Sequence, residues 1–156
     1  MTSTDSKKIE DGGPDLSALI EKLEKAEGPD RELDEAIWLA VIPGASRKNL
    51  LADHPDEKPL WEYHDVERNL CFRGGIIPSY TSSIDAAVSL AERVLPGWVV
   101  DHIGQDYAGD IPVLRGLGWC VELMNGEHHV VGQSKSLAIA LVLATLRALQ
   151  SKGGEA

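Results

Sequence analysis

The sequence predicts an α+β fold: an α-β-α layered sandwich with an antiparallel sheet, in the order α-α-(β)-α-β-β-β-α. Apolar residues recur at helical spacing in four segments of the 156-residue chain. Three strand-type segments follow one another in its second half. The pair Asn125-Gly126 between the last two strands is typical of a tight hairpin. Helices and an antiparallel sheet in this arrangement form layers around one core.

The first two predicted helices form a helical hairpin. The first begins at Pro14–Asp15 and ends at Gly28–Pro29. Asp30 caps the second, because its carboxylate can accept hydrogen bonds from the free N–H groups of the first turn. Pro43–Gly44 ends it. Each helix has one apolar face, formed by Leu16, Leu19, Ile20 and Leu23 in the first and by Leu33, Ile37, Ala40 and Val41 in the second.

Residues 45–80 are less regular, with prolines and clustered charges. We predict loops here with one or two short strands, the bracketed β of the element order. Trp61, Tyr63 and Val66 are candidate strand residues, and so are residues 70–72.

The third helix is predicted over residues 82–95. Ser82, with Asp85 three residues on, fits a capping box, and Pro96–Gly97 ends the helix. Three strands follow in meander order, and Asn125-Gly126 predicts a type I′ turn between the last two. The predicted strands are residues 98–103, 118–124 and 127–132.

The closing helix, residues 135–150 with Ser134 as its cap, is apolar almost all round. Such a helix is buried on more than one side, against the sheet and against another helix or subunit. We therefore expect a homo-oligomer. The domain organisation predicted is a disordered tail at residues 1–13, one α+β sandwich domain at 14–150 and a frayed tail at 151–156.

Charge and composition exclude some partners. The net charge is −10 and basic residues are scattered, whereas duplex nucleic-acid binding needs clustered Lys and Arg. No segment approaches the length of a membrane span, and the polar N-terminus does not fit a secretory signal. We expect a cytoplasmic protein that binds neither duplex nucleic acid nor membrane. The four Trp residues are predicted to anchor the core or its edge.

No pattern of catalytic or metal-binding residues stands out. Cys71 and Cys120 lie 49 residues apart, which fits no metal motif, so we expect two reduced, buried thiols. His128 and His129 are adjacent in a strand, where side chains alternate between faces, so they are not expected to share a metal. We expect no enzymatic activity, no cofactor and no metal.

A weak ligand-binding signal comes from two arginines beside glycines. Arg73 precedes Gly74-Gly75, and Arg115 precedes another glycine. A guanidinium beside accessible backbone N–H groups can clamp an anion, and Trp61 or Tyr80 can stack on a base. We predict these four side chains as ligand-binding residues, in a site between subunits.

Four stretches stand out together: LIEKLEKAEGPDRELDEAI at residues 19–37, PSYTSSIDAA at 78–87, Pro-Gly-Trp at 96–98 and the alanine- and leucine-rich helix at 137–149. Together they resemble the phage ABA-sandwich domain family, which occurs in phage and prophage proteins, and they frame residues 15–150. The resemblance implies an α-β-α sandwich of phage or prophage origin and implies no activity. Residues 45–75 and the loop before Gly118 depart from the family's pattern.

Three functional hypotheses follow. The first is a phage- or prophage-encoded accessory protein that binds without catalysis, such as an inhibitor of a host factor or defence system acting in the host cytoplasm. The second is a small-molecule binder that sequesters a nucleotide signal. The third is an enzyme whose site assembles only in the fold.

Overall fold

A computed structural model describes residues 15–73, 77–105 and 118–154. The α+β class is confirmed, and three strands lie where one or two short strands were predicted. The predicted tail at residues 1–13 lies outside the described ranges. The elements in chain order are α1 (Ser17–Lys25), α2 (Arg31–Val41), β1 (Ala45–Asn49), β2 (Trp61–Asp65), β3 (Leu70–Arg73), α3 (Ile84–Val94), β4 (Val99–Gln105), β5 (Trp119–Asn125), β6 (His128–Ser134) and α4 (Leu137–Gly154).

The described strands form two antiparallel sheets rather than one, ordered β1-β2-β3 and β4-β5-β6. In the first sheet, Tyr63 pairs with Phe72 and both lie on the inner face, which packs on α2. The ring of Trp38 meets the rings of Tyr63 and Phe72 edge-on, at centroid distances of 5.8 and 5.6 Å. These contacts fix α2 on the first sheet.

Helix α4 lies at the centre of the domain. It packs on β5 and β6 on one side and contacts α1 and α3 on another. Leu143 and Leu146 are completely buried. Gly132 of β6 permits the close approach, because an added Cβ would lie 2.1 Å from the carbonyl oxygen of Ala140. One chain therefore covers the apolar surface from which we expected a homo-oligomer, and oligomerisation stays a prediction.

Two of the predicted helix caps are displaced, by one residue in α3 and by two in α4. In α3 the cap is Ser83 and not Ser82, since the Ser83 hydroxyl accepts the N–H of Ala86 at 3.1 Å. In α4 the Ser136 hydroxyl accepts a first-turn N–H at 3.3 Å, whereas Ser134 accepts the N–H of Ser136 itself. In each serine run, the hydroxyl directly before the first helical residue reaches the free N–H. Helix α4 also continues beyond residue 150, to Gly154.

The hairpin between β5 and β6 has a different turn from the one predicted. Asn125 pairs with His128, so the two-residue loop is Gly126–Glu127. Gly126 has a φ of +62° and Glu127 lies outside the positive-φ region, as in a type II′ turn. A further correction concerns Val66, which lies in the exposed turn after β2 and not in a strand.

A buried polar network ties α2 to the segment before α3. Asp34 is 1% exposed and accepts hydrogen bonds from the Thr81 N–H at 2.7 Å and the Thr81 hydroxyl at 2.8 Å. Arg31 donates to the other carboxylate oxygen at 2.9 Å. The Asp30 side chain caps α2 as predicted, and its N–H donates to the Thr81 hydroxyl at 2.8 Å. The network sets the position of α3 relative to α2.

None of the helices in the described ranges combines the length and hydrophobicity needed to cross a membrane.

Candidate functional site

A pocket of about 400 Å³ opens between α2, α3 and the inner face of β2 and β3. Its wall is mainly apolar and includes three aromatic rings. Five polar or charged side chains also line it. The apolar lining consists of Trp38, Ile42, Leu70, Phe72, Pro78, Tyr80, Ala86 and Leu90, and the polar lining of Asp65, Arg68, Asp85, Ser89 and Arg93.

The aromatic part of the wall is held by ring packing. Phe72 stacks on Tyr63 with a centroid distance of 5.6 Å and an interplanar angle of 24°. Trp38 is 3% exposed and meets Phe72 at 72°. Because Trp38 and Phe72 pack against each other and against Tyr63, this part of the pocket is formed without a ligand.

The polar side is built around an ion pair between β2 and α3. Arg93 donates from Nη1 and Nη2 to the two carboxylate oxygens of Asp65, each at 3.0 Å. The two side chains are only 12% and 4% exposed. Glu67 accepts two further hydrogen bonds from the same guanidinium. The hydrogen bonds from Arg93 hold the pKa of Asp65 below its usual range, so the pair is charged at neutral pH.

Two of the lining side chains carry a hydroxyl group, Tyr80 and Ser89. Burial raises the pKa of Tyr80 to about 12, so its phenol is neutral and can donate. Ser89 is exposed at the rim and carries a hydroxyl.

Arg68 supplies the charge at the rim. It is exposed, and its backbone N–H, not its guanidinium, donates to Asp65 at 3.2 Å. Among the described lining residues, Arg93 is already paired with carboxylates and Arg68 forms no ion pair. The Arg68 guanidinium is therefore the lining cation that can meet an anionic ligand. Asp85 supplies an opposite charge elsewhere on the rim.

Of the four residues predicted to bind a ligand, the structure places one in this pocket. Tyr80 lines it. Trp61 lies elsewhere on β2, with the Arg47 guanidinium 3.8 Å from its ring centroid. Arg73 is exposed on β3, beside inward-facing Phe72 and therefore on the outer face of the sheet. Arg115 lies outside the described ranges.

Sequence reasoning missed Trp38, Phe72, Asp65 and Arg93 as pocket residues. They come from four elements and meet only in the fold. One signal was present: the buried face of β2 reads Trp61, Tyr63 and then an acid. An acid at an inward position requires a cationic partner, because an unpaired buried charge is costly.

The histidines of β6 follow the predicted alternation. His128 lies beside Trp98, with ring centroids 6.4 Å apart, whereas Nε2 of His129 lies 3.6 Å from Glu122 on the other face. The cysteines need a correction. Cys71 is exposed and Cys120 is half-buried, whereas both were predicted to be buried. Cys71 points outward because its neighbour Phe72 takes the inner face of β3.

Comparison with known proteins gives no match to this chain among family models, curated proteins or solved structures.

Proposed function

We propose that the protein binds a small ring-containing anion of mononucleotide size in the pocket between α2, α3 and the first sheet, without catalysing a reaction. The observation that carries this proposal is the aromatic-lined pocket of about 400 Å³. Small-molecule sites in proteins are concave and mostly apolar, with volumes of about 300–1,000 Å³ and a few placed polar groups. This is the small-molecule alternative of the sequence analysis, with a different set of residues.

The lining chemistry supports a planar, anionic ligand. The rings of Trp38, Phe72 and Tyr80 offer apolar and quadrupolar contacts to an aromatic base. The neutral Tyr80 phenol donates a hydrogen bond, and the Arg68 guanidinium pairs with a phosphate or carboxylate at the rim. Arg93 is shared by the carboxylates of Asp65 and Glu67, so it offers no free positive charge to an anion, and Arg68 has to supply that charge.

Binding without catalysis fits the groups that line the pocket. Its described lining contains neither histidine nor cysteine. The buried carboxylate is held by a guanidinium and the phenol stays protonated, so neither is poised to exchange a proton near neutral pH.

Thermal-shift measurement against linear and cyclic adenine and guanine mononucleotides and ADP-ribose tests the proposal. A ligand at a hundred times its Kd adds about 2.7 kcal/mol of stability. We expect at least one of these ligands to raise the melting temperature. Ser89→Trp fills the rim and abolishes the shift, whereas Ile84→Trp, on the same helix outside the pocket, leaves it unchanged. No shift with any member of the panel would reject the proposal.

A matched arginine pair tests the role of charge. Arg68→Met weakens binding because it removes the rim cation, and Arg73→Met leaves binding unchanged because Arg73 lies on the outer face. Equal losses in the two variants argue against an anion at the pocket rim.

A second candidate function is protein binding through β4, the accessory role that led the sequence-based hypotheses. Within the described residues, β4 is an edge strand, and Val99, Val100 and Ile103 on it are 59%, 49% and 42% exposed. Unpaired backbone beside apolar side chains is suited to the addition of a strand from a partner protein. Phage or prophage origin and a host partner remain proposals that rest on the family resemblance.

Substitution on β4 separates the two functions. Val100→Lys places a charge on the exposed strand and reduces capture of a protein partner from bacterial lysate, while nucleotide binding in the pocket is retained. If the variant captures the same partner as the wild type does, β4 is not the binding surface.

A further inference from the structure

The outer face of the first sheet brings together three side chains that commonly bind metals. Glu62 and His64 lie two residues apart on β2, so both point away from the inner face that carries Tyr63. Cys71 of β3 lies directly opposite His64. One ligand atom from each of Glu62, His64 and Cys71 lies within 4.8 Å of the other two.

The exposure of Cys71 is unusual. Free cysteine is among the most buried residue types, because it behaves as a small hydrophobe. Here the thiol is exposed beside an imidazole and a carboxylate that already contact each other, with His64 Nε2 3.0 Å from Glu62 Oε1. An exposed thiol at this position adds little to the core, and two other metal-binding groups lie beside it.

We propose that Glu62, His64 and Cys71 form a Zn²⁺ site with a fourth position open to water. Thiolate and imidazole ligands favour Zn²⁺ over Mg²⁺ or Ca²⁺, which prefer oxygen ligands alone. Three protein ligands and one open position are typical of non-structural zinc sites. Binding displaces a proton from the Cys71 thiol, since the thiolate is the ligand.

The geometry needs only small adjustments. Bonds of about 2.0–2.3 Å in a tetrahedral site place ligand atoms about 3.5 Å apart. The side chains of the cluster are exposed or half-buried, so they can close by this amount without disturbing the core. Lys48 and Arg73 lie opposite Glu62 on the neighbouring strands. The site lies on the face of the sheet opposite the pocket and is independent of it.

A second cluster provides an internal comparison. Asp101, Glu122 and His129 also place ligand atoms within 4.8 Å of one another, on the second sheet. This set has two carboxylates and no sulfur, so a metal bound there gives no sulfur-to-metal charge-transfer absorption. The sulfur ligand therefore distinguishes the proposed site from the second cluster.

Cobalt substitution tests the proposal on the full chain. Co²⁺ added to the reduced protein gives a sulfur-to-metal charge-transfer band in the near ultraviolet. Added Zn²⁺ displaces the Co²⁺, and the band disappears. Cys71→Ser and His64→Ala lose the band, while the matched controls Cys120→Ser and His129→Ala keep it. Circular dichroism confirms that each variant is folded. Absence of the band in the wild type, or its survival in Cys71→Ser, would overturn the proposal.

Thiol alkylation gives a second readout. Zn²⁺ slows the reaction of Cys71 with iodoacetamide, as followed by mass spectrometry. Glu62→Ala reduces the Zn²⁺ affinity of the site, measured by this protection of Cys71, at least about tenfold. A Cys71 alkylation rate that is unchanged by Zn²⁺ contradicts the site even if zinc binds elsewhere.

Discussion

Arg93 and Asp65 form a two-pronged ion pair, with both nitrogen–oxygen distances at 3.0 Å, between the end of α3 and the end of β2. The pair is almost completely buried, and it forms one wall of the pocket. The shape of the candidate site therefore depends on a contact between residues 28 positions apart in the sequence.

Removing one partner of this pair is expected to destabilise the fold strongly. Arg93→Met leaves the Asp65 carboxylate buried without its guanidinium, which costs about 3 kcal/mol in free energy of unfolding. Urea denaturation measures the loss. Lys25→Met is the matched control: it breaks an exposed pair with Glu21 and costs less than about 0.5 kcal/mol. Similar losses in the two variants would show that burial of the Asp65 pair has no energetic consequence.

The same pair predicts how stability changes with pH. Hydrogen bonds from Arg93 lower the pKa of Asp65 in the folded state below the ordinary value of 3.8. The contribution of the charged Asp65 to the free energy of unfolding is therefore complete above about pH 5. It is lost as the pH falls through the folded-state pKa. Melting temperatures at about pH 5 and pH 3 should differ less in Asp65→Asn than in the wild type. An equal difference would mean that another carboxylate governs the acid response.

The link between α2 and the segment before α3 can be tested with a matched pair of threonines. Thr81 and Thr145 are both completely buried. The Thr81 hydroxyl donates to the Asp34 carboxylate, whereas the Thr145 hydroxyl donates to a backbone carbonyl within α4, at 2.8 Å in each case. Thr81→Val should cost about 2 kcal/mol, because a buried charged acceptor loses a donor. Thr145→Val should cost clearly less, and the reverse order would refute the assigned role of the network.

Gly132 should tolerate no side chain. An added Cβ meets the backbone of α4 at 2.1 and 2.5 Å, so Gly132→Ala must push the helix from the sheet. Overpacking of this kind costs about 3 kcal/mol or more when backbone must move. Gly28→Ala, where the Cβ meets nothing within 4 Å, is the control. Chemical denaturation of the two variants provides the comparison, and a mild effect at Gly132 would place α4 farther from β6.

The sequence predicted the helices and the second sheet because their patterns are local. The faces of α1 and α2 follow helical spacing, and β4, β5 and β6 adjoin recognisable turn residues. The strand β1 escaped prediction because Ala45–Asn49 is polar and largely exposed, without the alternation that indicates a half-buried strand. The segment forms a strand because its backbone pairs with β2, which its composition does not indicate.

The candidate site was harder to predict because it depends on contacts between distant residues. Tyr80 was singled out for its ring, and it does line the pocket. Arg73 was singled out for the glycines beside it, but strand alternation turns it to the outer face. The partner of Arg93 could be identified only from the fold, since nothing local links α3 to β2.

The central claim is tested most directly by heteronuclear NMR of the ¹⁵N-labelled protein during titration with the adenine and guanine mononucleotides. The account predicts that the indole N–H signal of Trp38 and the backbone signals of residues 86–90 in α3 shift together and saturate with at least one nucleotide. Those shifts should be lost in Ser89→Trp. Signals that stay unmoved with every nucleotide, or shifts confined to β4, would contradict a ligand pocket between α2, α3 and the first sheet.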